Sequence, residues 1–175
     1  KQPVFLANDA DCFTLSEAVD GSGAGYNTVF GVIVGTGCGG GIVVNKTLLS
    51  GPNSITGEWG HNPLPGFMTE QDGIAQQCYC GQKNCVESFI SGTGFAQRFN
   101  QQWHMQLSAE DIIVAAREKE PRALAHYHHF IDAFARSLAT VINTLDPHAI
   151  VIGGGLSNVA SLYDDLPCVI KKYIF

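Results

Sequence analysis

The chain has 175 residues, of which 45% are hydrophobic and 15% charged, and this balance suits one globular unit with an ordinary buried core. A formal net charge of -6 argues against a nucleic-acid-binding surface, because such surfaces are basic. The longest apolar runs, at 32–34 and 150–152, have the length of strands, which excludes a membrane-spanning helix at either place.

The first predicted elements are a strand and a helix. The opening residues KQPVFLAND have the pattern of a strand already in progress, with Val4 to Leu6 as its apolar run. Lys1 is followed by no targeting segment, and we interpret the sequence as a fragment cut at both ends. Helical spacing runs from Ala10 to Val19, and the GSGAG stretch at 21–25 then breaks the chain.

Two further strands and a long loop come next. TVFGVIVGTG at 28–37 predicts a buried strand that runs into a glycine loop. GGGIVVNKTLLSG at 39–51 predicts a hairpin with Asn45-Lys46 as its turn. Residues 52–77 are rich in Gly, Pro, Asn and Ser and show little periodicity. We therefore expect a loop there that something other than a hydrophobic core must order.

The second half of the chain is mostly helical. Residues 87–101 predict a helix that two glycines interrupt, and Ser108 is the predicted N-cap of a helix that runs through Lys119. Apolar residues at three- and four-residue steps predict a long amphipathic helix from Pro121 to Leu145.

The chain then returns to a strand. Residues 149–152 predict a short buried strand, 153–155 form a glycine loop, and a helical segment is expected from Val159. The alternation of strand, glycine loop and helix predicts an α/β fold.

Two glycine loops follow predicted strands. In VIVGTGCGGG at 32–41, backbone N–H groups can approach a phosphate closely, and Thr36 adds a hydroxyl. The motif lacks a P-loop ending, which argues against a Walker site, and it runs into a second strand, which argues against a Rossmann site. The alternative to phosphate binding is a tight hairpin that needs glycines. VIGGGLSN at 151–158 lies at a strand end, where α/β sheets collect ligands, so the two loops could hold two parts of one nucleotide.

Three of the six cysteines are clustered in CYCGQKNC at 78–85, whereas Cys12, Cys38 and Cys168 are isolated. The isolated residues are expected to be buried free thiols. This spacing favours a reducing, cytoplasmic compartment, where a cysteine cluster more often binds a metal than forms disulfides.

The cluster needs a fourth ligand to form a tetrahedral site. Thiolates at Cys78, Cys80 and Cys85 with the imidazole of His61 would form a Cys3His zinc site. Such a site would order the loop at 52–77. The alternative is a set of reduced thiols with His61 placed elsewhere.

Acidic residues lie at both ends of this segment. Glu58 precedes His61 by three residues, and Glu87 follows Cys85 by two. Carboxylates accept hydrogen bonds from sugar hydroxyls, and a metal-bound imidazole can present its second nitrogen. The spacing favours a polyol site, with two solvated glutamates as the alternative.

Five motifs resemble those of the ROK family of sugar kinases and sugar-responsive repressors. In family order they are ANDAD at 7–11, GTGCGGG at 35–41, GEWGH at 57–61, CYCGQKNCVE at 78–87 and IVIGGGLSN at 150–158. The resemblance is closest to bacterial fructokinase- and mannokinase-like members, with N-acetylglucosamine kinases as near neighbours. One departure is Asn84, where the family usually has glycine.

The resemblance implies an actin-like ATPase, or ribonuclease H-like, sugar-kinase fold with two lobes. Residues 1–175 would be one lobe, the larger C-terminal one. The family's DxGGT phosphate loop belongs to the other lobe and is absent from this sequence.

Carried over position by position, the resemblance implies roles for single residues. Asp9 would be the catalytic base. The sugar would be contacted by Asn8, Glu58, His61 and Glu87. The ATP phosphates would face Gly35, Thr36 and Gly37, and the adenosine Gly154 and Gly155. A structural zinc ion would be held by His61, Cys78, Cys80 and Cys85.

The implied activity is transfer of the γ-phosphoryl group of ATP, with Mg2+, to the 6-OH of fructose or mannose. The implied partners are a hexose, ATP and a second copy of the chain, with neither nucleic acid nor membrane, and this segment alone would be inactive. The alternatives are an N-acetylglucosamine kinase, a sugar-responsive transcriptional regulator with an upstream helix-turn-helix, and a non-catalytic zinc-stabilised interaction lobe.

Overall fold

The computed structural model describes residue 2 and residues 7–175, so the predicted strand at Val4 to Leu6 lies outside the described residues. The strands are β1 (Thr28–Val34), β2 (Cys38–Val44), β3 (Thr47–Leu48) and β4 (Ala149–Gly153). The helices are α1 (Asp9–Val19), α2 (Thr69–Asp72), α3 (Glu87–Ile90), α4 (Gly92–Trp103), α5 (Ala109–Arg117), α6 (Pro121–Leu145) and α7 (Leu162–Ile170). Two short 3-10 turns span Trp59–His61 and Gly155–Asn158.

The strands form one sheet in the order β3-β2-β1-β4. β1 pairs antiparallel with β2 and parallel with β4. The turn between β2 and β3 is formed by Asn45 and Lys46, with φ angles of 50° and 60°, as the twist of a tight hairpin requires. The predicted hairpin is thereby confirmed, and the glycine loop before it is shorter than expected, because Gly39 to Gly41 belong to β2.

Helix α1 packs along β2. The Asn8 side chain accepts hydrogen bonds from the N–H groups of Ala10 and Asp11, so it is the N-cap of the helix. Buried Thr14 fills the space that glycine leaves on the strands, since a Cβ atom added to Gly41 would lie 2.5 Å from the Thr14 hydroxyl oxygen. The predicted helix is confirmed, and its close approach explains Gly39 and Gly41, whereas an added Cβ at Gly40 would meet the rings of Trp59 and Phe30.

Helix α6 forms the centre of the core. Phe134 and Leu138 are almost fully buried in it, as the predicted amphipathic spacing requires. The Trp59 ring contacts Phe30 of β1 edge-on at 5.6 Å and Phe134 at 6.2 Å. Trp59 therefore ties the GEWGH segment to both the sheet and α6. Among the described residues, no helix is both long and apolar enough to cross a membrane.

Three helix boundaries differ from the prediction. The helix expected over 87–101 is two helices separated at Ser91, whose hydroxyl accepts the Gly94 N–H and caps α4. The Ser108 cap is confirmed as a capping box with Asp111, but its helix ends at Arg117 because Lys119 has a left-handed φ of 63°. The last helix begins at Leu162, since Gly155–Asn158 forms a 3-10 turn.

The loop at 52–77 is ordered in part by a buried ion pair. Arg136 of α6 pairs with Asp72 and Asp132 and donates a hydrogen bond to the Pro65 carbonyl at 2.6 Å. The Arg136 and Asp72 side chains are 8% and 5% exposed. Removing one partner of such a pair would leave the other as an unpaired buried charge, which is strongly destabilising. The ion pair therefore fixes the loop to α6.

Candidate active site

The four predicted metal ligands lie together. The ligand atoms of His61, Cys78, Cys80 and Cys85 are all within 4.8 Å of one another. The distance from His61 Nδ1 to Cys78 Sγ is 3.6 Å, and that from Cys80 Sγ to Cys85 Sγ is 3.5 Å. A tetrahedral zinc ion with usual bond lengths would separate such pairs by about 3.6 and about 3.8 Å. These side chains could therefore hold one metal ion.

Backbone hydrogen bonds help to hold the ligands in place. The Cys78 N–H donates to the Gln82 carbonyl at 2.8 Å, and Pro63 pairs with Cys85 as an isolated bridge. Asn84 has a left-handed φ of 57°, and its side chain accepts the Gln76 N–H at 2.9 Å. Asparagine is among the residues that tolerate this conformation, which explains why it can replace the usual glycine.

The thiols differ in their acidity. Burial, with hydrogen bonds from Cys80 and Cys78, raises the pKa of Cys85 to about 12. The Gln82 backbone is the main cause of the lowered pKa of Cys80. A metal ion binds thiolates, so ion binding would release protons and would weaken at low pH.

The isolated cysteines are only partly as expected. Cys38 is buried at the start of β2, but Cys12 and Cys168 are exposed, so the expectation of buried thiols is wrong for these two. Cys12 and Cys168 lie on the solvent-facing sides of α1 and α7. Apolar neighbours in the sequence do not determine which face of a helix is buried.

The glutamates lie next to the cysteine cluster. Glu87 accepts the Cys38 N–H at 2.8 Å through Oε2, and Glu58 is exposed immediately before the 3-10 turn that carries His61. The Tyr79 hydroxyl lies 3.0 Å from His61 Nε2. Desolvation raises the pKa of Tyr79, and the negative charges of Glu87 and Glu58 add to the shift. These side chains therefore share one electrostatic environment.

The N-terminal end of α1 lies against β2, the strand that begins at Cys38. A Cβ atom added to Gly39 would lie 3.2 Å from the Ala10 Cβ, so the backbone after Asp9 approaches the first residues of β2. Asn8 and Asp9 are both exposed. Asp9 Oδ1 accepts the Ala10 N–H at 2.9 Å, which leaves its second carboxylate oxygen available to a ligand.

Two cavities adjoin the turn between β1 and β2. The larger, of about 800 Å³, is lined in part by Gly35, Thr36 and Gly155. The smaller, of about 400 Å³, is lined in part by Thr36, Gly37 and Glu87, together with Cys78 and Tyr79. Thr36 and Thr93 line both cavities, so the two spaces meet at this turn.

Some predicted residues lie elsewhere, and some lining residues were missed. Gly154 is not among the residues that line the larger cavity. It has a left-handed φ of 84°, and a Cβ atom added to it would lie 2.6 Å from the Val34 carbonyl oxygen. Glycine is therefore required here for the backbone to pass Val34. Thr93, Arg117 and Asn158 line that cavity and were not predicted. The SGTGF stretch at the start of α4 was the available signal for Thr93.

Gly60 is a point where a side chain cannot be accommodated. An added Cβ would lie 2.2 Å from the carbonyl oxygen of Cys38, in backbone that has little freedom to move. We expect Gly60→Ala to destabilise the complete protein by about 1–3 kcal/mol in urea unfolding and to displace His61 from the thiols, with lower metal content. Gly25→Ala is the control, because nothing lies within 4 Å of its added Cβ. Equal stability of the two variants would contradict this packing.

Comparisons with known proteins show the family to which the chain belongs. Residues 1–175 match the ROK family. The N-acetyl-D-glucosamine kinase of Yersinia pseudotuberculosis is 44% identical over 170 residues, which cover 95% of this chain and 56% of that protein. The corresponding kinase of Shigella boydii is 42% identical over 172 residues, covering 94% of this chain and 57% of that protein. The chain thus spans little more than half the length of these curated relatives.

Solved structures show the same fold. The ROK hexokinase of Thermus thermophilus matches with a TM-score of 0.87 at 24% identity, over 98% of this chain and 58% of that one. A ROK glucokinase of Streptomyces griseus, solved with glucose and AMPPNP, matches with a TM-score of 0.84 at 24% identity, over 99% and 59%. The predicted α/β, actin-like ATPase fold is confirmed.

Proposed function

The chain belongs to the ROK family, and from that membership and the geometry of its two cavities we propose that the complete protein is an ATP-dependent sugar kinase. The observation that carries the proposal is the shared wall at Thr36 and Thr93, which joins the 800 Å³ and 400 Å³ cavities. Phosphoryl transfer requires donor and acceptor to be held in line at close range, and two adjoining cavities with one common wall suit this requirement.

The larger cavity is the proposed nucleotide site. Gly35, Thr36 and Gly155 line it, and Gly37 completes the turn. The Gly35 N–H donates to the Gly37 carbonyl at 3.0 Å. The proposed donors to phosphate oxygens are therefore the Thr36 hydroxyl and the N–H groups of Thr36 and Gly155. Mg2+ that accompanies ATP would neutralise phosphate charge. Gly154, which does not line the cavity, is proposed to shape the loop beneath the adenosine rather than to contact it.

The smaller cavity is the proposed sugar site. Glu87 lines it together with Tyr79, whose hydroxyl lies 3.0 Å from His61 Nε2. His61 and Glu58, which immediately precedes the 3-10 turn that carries His61, are not among the lining residues and are proposed to reach the sugar from beside it. Carboxylates accept hydrogen bonds from hydroxyl groups, and Glu87 is accompanied in the lining by neutral polar side chains such as Gln97 and by Arg98, which suits a polyhydroxylated ligand. Asn8 is the proposed contact from α1.

Asp9 is the proposed general base. A sugar hydroxyl scarcely ionises at neutral pH, so a carboxylate within hydrogen-bond reach must accept its proton as the phosphoryl group moves. Exposure of Asp9 at the start of α1, with one oxygen turned to its own helix and the other available, supports this role.

We propose zinc as the ion that His61, Cys78, Cys80 and Cys85 hold. Three thiolates and an imidazole are a typical structural zinc set, and four protein ligands leave no open position for a hydrolytic water. The ion would contribute order: it would fix the loop that carries Glu58 and His61 relative to Glu87.

N-acetyl-D-glucosamine is the sugar that we propose first. The relatives described above are named for this substrate, so they support it over the fructose or mannose that the motif resemblance favours. A homodimer, a cytoplasmic location, and the absence of nucleic-acid and membrane partners remain predictions from the sequence.

A coupled kinase assay of the complete protein tests the proposal directly. The panel contains N-acetyl-D-glucosamine, N-acetyl-D-mannosamine, glucose, mannose and fructose, each with ATP and Mg2+. We expect the highest kcat/KM with N-acetyl-D-glucosamine. A higher value with fructose or mannose would reverse the substrate assignment alone. Failure to phosphorylate any sugar, with sugar-dependent DNA binding instead, would contradict the kinase and favour the regulator.

A further inference from the structure

One face of helix α5 lines the proposed nucleotide cavity. Its side chains are those of Glu110, Ile113, Val114 and Arg117, which recur at the spacing that places residues along one side of a helix. Val114 is 44% exposed, whereas Ile113 is buried. The face therefore has an apolar middle, with a carboxylate at one end and a guanidinium group at the other.

The segment after β4 supplies further apolar surface to the same cavity. Leu156 and Val159 line it, and both are buried in the core. Asn158 also lines it, and its side-chain N–H donates to the Gly155 carbonyl at 3.2 Å, within the same turn. Apolar surface from two separate elements suits the flat face of a nucleobase.

The start of α5 lies beside the turn between β1 and β2. The Gly92 N–H donates to the Gly35 carbonyl at 2.7 Å, and a Cβ atom added to Gly92 would lie 3.9 Å from the Ala109 Cβ. Ala109 is the first residue of α5. Because an α-helix rises about 1.5 Å per residue, Arg117 lies about 10 Å further along the axis than Glu110. Glu110 is thus nearer the proposed phosphate site, and Arg117 is at the far end of the cavity.

The carboxylate of Glu110 suits hydroxyl groups and not phosphates. An ionised carboxylate only accepts hydrogen bonds, and phosphate charge repels it. In a nucleotide whose phosphates lie at the turn, the ribose comes next and the base last. The ribose hydroxyls are therefore the donors nearest to Glu110. An acidic residue has the same role in dinucleotide-binding folds, where it accepts a hydrogen bond from the ribose.

The guanidinium group of Arg117 suits the base. Guanidinium groups are planar and stack on aromatic faces. A base that packs against Ile113 and Val114 would occupy the part of the cavity that Arg117 also lines. Arg117 would then cover one face of the ring.

We propose that α5 is the nucleoside wall of the site, with Glu110 accepting a hydrogen bond from a ribose hydroxyl and Arg117 covering the base. This inference rests on the proposed sugar kinase and adds the residues that select a ribonucleotide. Neither residue is among those that line the 400 Å³ sugar cavity. Both therefore act on the nucleotide and leave sugar binding unchanged.

The test compares ATP, 2′-deoxyATP and 3′-deoxyATP as phosphoryl donors for the complete protein at a saturating concentration of its best sugar. We expect the wild type to favour ATP over at least one of the analogues by about 10-fold or more, as a hydrogen bond to a charged group allows. Glu110→Ala is expected to lower kcat/KM for ATP about 10- to 100-fold and that for this analogue far less, so the preference disappears. Glu118→Ala is the matched control, because Glu118 is an exposed glutamate at the end of α5 and is not among the lining residues.

Arg117→Ala separates recognition of the base from recognition of the ribose. We expect kcat/KM to fall by the same factor for all three nucleotides, about two- to fivefold, with an unchanged KM for the sugar. An ATP preference that survives in Glu110→Ala, that is missing from the wild type, or that changes in Arg117→Ala would overturn the inference while leaving the kinase proposal intact. A complete protein that phosphorylates no sugar would instead overturn the kinase proposal, and this inference with it.

Discussion

Asp9→Asn in the complete protein is expected to lower kcat about 100- to 10,000-fold while the fold remains intact. The amide keeps the shape of the side chain but cannot accept the hydroxyl proton. The carboxylate lies in the first turn of α1, where a negative charge interacts favourably with the helix, so its loss should cost only about 0.3–1 kcal/mol of stability.

Three measurements separate chemistry from binding in this variant. These are kcat and KM for the sugar, sugar affinity by calorimetry, and the thermal unfolding midpoint. Asp20→Asn is the matched control, because Asp20 is an exposed residue at the opposite end of the same helix. Near-normal turnover by Asp9→Asn would reject its assignment as the base.

Loss of the metal is expected to lower stability and sugar affinity together. Cys85 is fully buried, with its Sγ 3.5 Å from both Cys80 Sγ and the His61 carbonyl oxygen. Cys85→Ser removes one of four ligands, and Glu87 lies two residues further on. If zinc is present at about 1,000 times its Kd, the stabilisation that is lost amounts to about 4 kcal/mol.

This expectation is checked by urea unfolding, zinc content and sugar affinity of Cys85→Ser and of chelated wild-type protein. Cys168→Ser is the control, since Cys168 is an exposed cysteine outside the cluster. An unchanged unfolding midpoint after verified removal of the metal would show that the ion does not stabilise the protein.

Local sequence signals predict the elements that depend on local chemistry. The Ser108 cap, the Asn45-Lys46 turn and the apolar spacing of α6 each act within a few residues, and each is confirmed. The grouping of His61 with the three cysteines was also predictable, because spacing and ligand chemistry restrict the choices strongly.

Features that depend on distant contacts could not be predicted in the same way. Gly39 to Gly41 fit both the predicted glycine loop and the predicted hairpin, and the close packing of α1 and Trp59, which local sequence does not reveal, accommodates them as a strand. The helix break at Ser91 arises where its hydroxyl caps α4. Thr93 lines both cavities beside Gly92, whose N–H donates to the Gly35 carbonyl at 2.7 Å, and this contact joins segments that are far apart in sequence.

A structure of the complete protein with N-acetyl-D-glucosamine and a non-hydrolysable ATP analogue tests the central claim most directly. The account predicts the sugar beside Glu87, with one hydroxyl within about 3.2 Å of the Asp9 carboxylate, and the γ-phosphate at the turn that carries Thr36. A sugar bound away from this cavity, or a triphosphate that does not reach the turn, would contradict it.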